Sequence, residues 1–304
     1  MSVQAAAGYP QYSGGFIPEV WSSTLNINFY EATVITEITN TNWEGEIAGQ
    51  GDIVNIRQTP STPTQKHQKG QQVTYTHLEA DKIQLEIDKA RSFAYAADDI
   101  DLYQSDINLL DDWAEGAALQ MQADIDEEFL SVVYADAASE NSGNSAGAKS
   151  SSFDMGSSAS PKTLTKNNVL DWLVDVNSVL GENNIPTMYR WIVLPEWACG
   201  LIEKSELKDA SLTGDDMSTL RNDGYLGRIS SLSLYRSNLL NASSGKYDVI
   251  FGHISAIAFA SQYVDVQYFD KLENIFGQAV RGLNVYGYKT VKSQALGHAV
   301  IQQG

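Results

Sequence analysis

An α+β fold is predicted for this chain, and three observations carry the prediction. Ile83, Leu85 and Ile87 alternate with Lys82, Gln84, Glu86 and Asp88, the period of a half-buried strand. A stretch with helical spacing then runs from Ser105 to about Tyr134. Beyond Pro161, helical and strand-like segments follow one another without strict alternation, which argues against a doubly wound sheet.

The opening segment reads as irregular. It passes through Tyr9-Pro10, Gly14-Gly15, Phe16-Ile17-Pro18 and Trp21, and its first basic residue is Arg57, so it is not a positively charged arm. The aromatics need a covering surface, either their own domain or another subunit. Asp52 to Arg57 and Gln72 to Thr76 then read as two strands flanking a connector from Thr59 to Gly70, in which only Pro60 and Pro63 are apolar. Two strands alone bury too little surface to offset the ordering of their backbone. The hairpin should therefore lie on something, and a neighbouring copy of the chain is the expected support.

Within the helical stretch, Ile107, Leu110, Ala114, Ala117, Met121, Ile125, Phe129 and Val132 form one apolar stripe, with Ser105 or Asp106 as N-cap. Thirty residues at helical rise span ~45 Å, which makes the element a strut. No Lys or Arg occurs between Ser92 and Ala148, whereas acidic residues are frequent there. A surface this negative repels phosphate. It is either a solvated face that maintains solubility, a face that meets packed DNA without adhering, or a seat for a basic partner.

Ser139 to Pro161 is dominated by Ser, Gly, Ala and Asn and is expected to be a mobile linker or surface loop. Thr165 is expected to cap a helix carrying Val169, Leu170, Leu173, Val176 and Leu180, with Gly181 at its C′ position. Arg190 to Leu194 reads as a buried strand, and Pro195 opens a helix ending near Glu203. The segments 229–236, 247–251, 254–260, 263–269 and 283–291 complete a β-rich end.

The 304 residues, 43% of them hydrophobic, suffice for one large or two modest domains. A net charge of −18 disfavours direct nucleic-acid affinity. No apolar run approaches a membrane span and the first residues lack a basic signal region, so a soluble intracellular product is expected. Cys199, the single cysteine, excludes an intrachain disulfide and reads as a small buried hydrophobe. Phosphate-loop and dinucleotide motifs are absent, since Gly49-Gln50-Gly51 lacks the third glycine and the following helix. His67, His77, His253 and His298 have no metal-ligand spacing, and Asp111-Asp112 and Glu127-Glu128, being adjacent, point to different sides of a helix. No catalytic, cofactor or metal residues are assigned, and the chain is expected not to be an enzyme.

Taken in order, several passages resemble the major capsid proteins of tailed double-stranded DNA bacteriophages, with the Hong Kong 97 type fold. They are Gly51 to Ile56, Ile83 to Asp101, Asn184-Ile185-Pro186 through Arg190 to Glu196, Gly227-Arg228-Ile229 through Asn238, and Ala279 to Gly287. The resemblance implies an N-terminal arm (1–45), an extended β-hairpin loop (46–81), a peripheral domain with a spine helix (82–138), the Ser/Gly-rich linker (139–163), an axial domain (164–262) and a return to the peripheral domain (263–304). It further implies self-assembly into pentamers and hexamers of an icosahedral head that encloses DNA without sequence-specific binding, located in the virion and assembled in the host cytoplasm. Candidate intersubunit contacts are Thr59, Pro60, Pro63, Lys66, His67, Lys69 and Gly70 at the loop tip, and Phe16, Ile17 and Trp21 in the arm. The partners implied are further copies, a portal protein, a decoration protein and a separate scaffolding protein, because no long helical N-terminal extension precedes the arm. The strand at Lys89-Ala90-Arg91 departs from the His-Lys pair of many relatives. An encapsulin-like compartment, an enzyme with an unrecognised site and a monomeric β-rich binding module are the alternatives.

Overall fold

A computed structural model of the chain describes residues 33–42, 53–57, 64, 66–70, 72, 77, 82–98, 109–205, 225–269 and 276–304, with the backbone alone described at 98, 109–115, 225–226 and 262–266. Helices and strands mix as expected for an α+β chain. The elements are α1 (Ile35–Ile38), β1 (Ile53–Arg57), β2 (Lys82–Glu86), β3 (Lys89–Asp98), α2 (Leu109–Val133), β4 (Lys162–Leu164), α3 (Val169–Glu182), β5 (Arg190–Leu194) and α4 (Glu196–Lys204). They continue with β6 (Tyr225–Ile229), β7 (Leu232–Arg236), β8 (Ala242–Ser243), β9 (Lys246–His253), β10 (Ile257–Phe269), β11 (Gly277–Thr290) and β12 (Leu296–Gln303).

Three sheets result. β1 and β2 form an antiparallel pair, β10-β11-β3 a three-stranded antiparallel sheet, and β4-β12-β9-β5-β7-β6, with β8 beside β9, a mixed seven-stranded sheet. One continuous apolar core joins α2 and the three-stranded sheet to α3, α4 and the seven-stranded sheet, through Phe129, Leu130, Trp172, Val176, Trp191, Phe251 and Tyr286 among others. β5 is buried at all five positions, as the apolar run Trp191 to Leu194 predicts for four of them, with Arg190 a buried charge at its start.

Several boundaries differ from the expectations. The residues expected to cap the strut, Ser105 and Asp106, and the strand residues 73–76 lie outside the described residues. The observed partner of β1 is β2, with Val54 opposite Leu85 and Ile56 opposite Ile83. The apolar seam of α2 continues from Met121, Ile125 and Phe129 to Leu130 and Val133, leaving Val132 49% exposed, because a stripe at steps of three and four drifts around a 3.6-residue helix.

Thr165 does not cap α3. The N-cap is Asn168, whose Oδ1 accepts from the Thr165 amide at 2.7 Å. At the other end, Gly181 is inside the helix and the left-handed residue is Asn184, at φ 57. The Asn184 amide donates to Gly181 O and the Ile185 amide to Leu180 O, the paired bonds of a Schellman closure, with Asn supplying the positive φ. Pro195 is the N-cap of α4 and not its first helical residue. The segment 229–236 is not one strand. Ser230 and Ser231, both at positive φ, turn β6 back on β7, a two-residue loop whose serines do not announce it.

Of the two expectations for residues 139–163, a mobile linker or a surface loop, the contacts fit a surface loop tied to the seven-stranded sheet and to α3. Asn141 is fully buried and donates to Gln294 O and Leu296 O, Met155 is fully buried, and the Val300 amide donates to Met155 O. Glu182 accepts from the amides of Lys149 and Ser150, and Asp154 from Asn144, Gly156 and Lys162. The small residues that suggested mobility let the backbone approach closely. A side chain at Gly156, for example, would place its Cβ 2.2 Å from Val300 O. The C-terminal portion also divides: β11 lies in the three-stranded sheet, but β12 lies between β4 and β9 in the seven-stranded one. The segment 263–304 is thus divided between two sheets.

Candidate assembly surfaces

The hairpin root is fixed by its own chain. Val54, Ile56, Leu85 and Ile87 project from one face of β1 and β2 and bury against Ala258, Ala260 and Val285 of β10 and β11. Small residues on the sheet permit this. Gly287 of β11 meets the root so closely that a Cβ there would lie 2.2 Å from Glu86 O. The expectation that a neighbouring copy supports the hairpin is thus corrected for its root, where alternation supplies an apolar underside and the chain's own sheet covers it. The opposite face is solvent-exposed: Ile53 is 50% exposed, and Gln84 Nε2 donates to Asn55 Oδ1 at 3.2 Å.

Of the tip residues, Lys66, His67, Lys69 and Gly70 are all exposed, and Gly70 takes a positive φ of 88 in a turn. Thr59, Pro60 and Pro63 lie outside the described residues, as do Phe16, Ile17 and Trp21 of the arm. Between Ile53 and Leu78 the sequence has no acidic residue, so the exposed tip is positive.

The described part of the strut is far less acidic at its surface than its sequence suggests. Glu128 receives Lys89 Nζ at 2.6 Å, Arg91 at 3.0 Å and the Tyr286 hydroxyl at 2.7 Å. Burial works to raise the Glu128 pKa, but the hydrogen bonds from Lys89, Tyr286 and Arg91 outweigh it and hold the carboxyl at about 2. Lys89 also lies over the Tyr288 ring, 4.7 Å from its centroid. Asp124 faces Gln120 and Arg91, Asp126 is fully buried, and Glu127 is the carboxylate left exposed among residues 116–133. Lys89 and Arg91, whose role the sequence did not reveal, thus clamp α2 to β3 and β11.

Residues 33–42, which sequence reasoning passed over, form a second attachment. Val34, Ile35 and Ile38 are buried in the main core, and Asp126 Oδ2 accepts from the Val34 amide at 2.5 Å. Asn40 bridges the outer edge of β10. The repeated apolar residues Val34, Ile35 and Ile38 were the available signal.

Arg190 explains the Asn-x-Pro passage. Its buried guanidinium donates to the carbonyls of Ile185 at 2.6 Å, Pro186 at 2.9 Å and Asn177 at 2.8 Å, and to the Asn177 side chain. These acceptors close the negative end of α3 onto β5. The loop they secure presents Met188 and Tyr189 to solvent, with Tyr189 at φ 60.

Among the described residues the remaining reactive side chains do not converge. Cys199 is fully buried, and burial pushes its thiol up to about 12. His298 Nε2 pairs with Asp248 at 2.8 Å, and His253 accepts from the Ser255 amide. Among the described residues no group of three His, Cys, Asp or Glu side chains is placed to hold a metal ion. Among them, too, no helix is long and apolar enough to cross a membrane.

No protein-family model matches the chain, and no curated protein matches it. Solved structures do. A structure from Mycobacterium phage Che8 is 24% identical, with a TM-score of 0.72 over 94% of this chain and 97% of its own. The capsid structure of the cyanophage P-SCSP1u gives 0.68 at 10% identity over 95% and 93%, and the capsid of the Myoviridae phage XM1 gives 0.62 at 14% identity over 95% and 99%. The fold of this chain is accordingly that of tailed-phage capsid structures, the Hong Kong 97 type that its sequence resembles.

Proposed function

We propose that the chain is a non-enzymatic coat subunit that self-assembles into the pentamers and hexamers of an icosahedral head enclosing double-stranded DNA, and so resides in the virion. The observation that carries this reading is the match of nearly the whole chain to capsid structures. The hairpin supports it. A root fixed on its own sheet and a tip whose described residues are all exposed suit a loop that reaches another copy. Head-to-tail contacts of this kind close into rings, and many modest contacts sum to a stable shell.

In this reading the three-stranded sheet with α2 is the peripheral domain and the seven-stranded sheet the axial domain, with β12 belonging to the latter. The tip residues Thr59, Pro60, Pro63, Lys66, His67, Lys69 and Gly70 and the arm residues Phe16, Ile17 and Trp21 are its intersubunit contacts. A portal protein, a decoration protein and a separate scaffolding protein are its further partners. Electron microscopy of the purified chain co-expressed with its scaffold tests the proposal: shells are expected, and a monomer that never assembles overturns it. Nucleic acid inside native particles separates a phage head from an encapsulin-like compartment. Shortening 59–70 is expected to leave a folded chain that assembles poorly, and full-size particles of unchanged stability would remove the tip from the contact set.

A further inference from the structure

The segment Val34 to Asn40 is held at both ends. The Val34 amide, at the N-terminus of α1, donates to Asp126 Oδ2 at 2.5 Å. Six residues on, the Asn40 amide donates to Ile257 O at 2.9 Å and Asn40 O accepts from the Phe259 amide at 3.1 Å, a one-residue strand addition to the edge of β10. Between these points Ile35 and Ile38 are buried, and Thr39 Oγ1 donates to Ile35 O.

Asp126 is an unusual anchor. It is 0% exposed, and its second oxygen, Oδ1, has no hydrogen-bond partner. No described cation meets it. On α2, Asp124 turns to Gln120 and Arg91, Glu127 is exposed, and Glu128 is occupied by Lys89, Arg91 and Tyr286. On α1, Glu37 is exposed, and the cations of β3, Lys89 and Arg91, are engaged with Glu128 and Asp124. A buried carboxylate met only by backbone amides, with one oxygen unpartnered and no counter-charge, is costly when ionised. Two events relieve that cost: uptake of a proton, or departure of the segment so that water reaches the oxygen.

We propose that Asp126 is a proton-gated latch for the segment 33–42, holding it firmly when protonated and weakly when ionised. With the segment seated, burial pushes the Asp126 carboxyl up to about 6, although the amides of Val34 and Ile35 oppose the shift. Where departure of the segment admits water to the carboxyl, its pKa falls toward the ordinary value of 3.8. The seated state therefore binds the proton more tightly, so seating strengthens as pH falls from about 6 toward 4 and is weakest above 6. The inference stands on the contacts of one chain and does not depend on the shell reading.

Amide hydrogen exchange on the full-length unassembled chain, corrected for intrinsic rates, tests it at about pH 5 and about pH 7.5. Protection at Val34 to Thr39 is expected to rise roughly tenfold at the lower pH relative to amides of α3. The isosteric, uncharged Asp126→Asn should hold the segment equally at both. A wild-type ratio that does not change with pH overturns the latch, and this comparison decides the matter even where the variant fails to fold. Persistence of the wild-type pH dependence in Asp126→Asn overturns it as well.

Discussion

Arg190 is 2% exposed yet has no carboxylate among its hydrogen-bond partners. Its charge is met by backbone oxygens at the end of a helix, and burial accordingly lowers its pKa. Replacing it with Met would keep the volume but strand three carbonyls, so Arg190→Met is expected to destabilise by about 3 kcal/mol in urea unfolding. Arg190→Lys should recover only part of that, because an ammonium cannot reach acceptors spread along a planar fork. The two notable carboxylates of α2 have opposite pH signatures. Asp126, raised when folded, contributes stability that is gained as pH falls from about 6 to 3.8, whereas Glu128, lowered when folded, contributes stability present above 4.5 and lost as pH falls toward 2. A stability maximum where those windows overlap, between 3.8 and 4.5, is expected from melting curves across pH. Glu128→Gln should flatten the acid limb and cost about 2 kcal/mol at neutral pH. Neither role was legible in the sequence, where Asp126, Glu127 and Glu128 are three similar neighbours whose burial, exposure and pairing depend on what faces each side of the helix.

At the scale of elements, local periodicity was a good guide wherever one face is buried. The alternation at 83–87, the unbroken apolar run at 191–194 and the stripe of α3 all appear as the strands and helix they suggest. It failed where backbone conformation, not apolar spacing, defines the element: Ser230-Ser231 turns β6 onto β7, and Asn184 rather than Gly181 ends α3. For residues 139–163 composition left linker and surface loop open, because their order comes from hydrogen bonds to β12 and α3 that composition cannot show. Gly156→Ala tests that order. With φ at 77 and a Cβ 2.2 Å from Val300 O, the substitution should loosen β12 and lower stability by about 2 kcal/mol or more. Gly287→Val addresses the hairpin root, where the added side chain meets Glu86 O. It should release β1 and β2 to proteolysis while the seven-stranded sheet, which lacks that contact, keeps its protection.

For the molecule as a whole, exposed apolar side chains are where the proposed contacts between copies are to be sought. Phe276 is 88% exposed and Tyr268 53%, both at the far end of the β10–β11 hairpin, where the described buried cluster is Ala97 and Val280 alone. Phe276→Asp should change monomer stability by less than about 0.5 kcal/mol, because little packing is lost. If the coat-subunit reading is right, the same change should slow assembly measured by light scattering. The sequence by itself determined the α+β class, the order of hairpin, strut and mixed sheet, and the resemblance to a capsid fold, because apolar periodicity and turn residues act over a few neighbours. Only the tertiary structure decided that the hairpin root rests on its own sheet, that Lys89 and Arg91 pair with Glu128 of the strut, and that Asp126 meets the amide of Val34. Those contacts join residues from 37 to 201 positions apart along the chain, and no local pattern encodes which distant surface will fold against which.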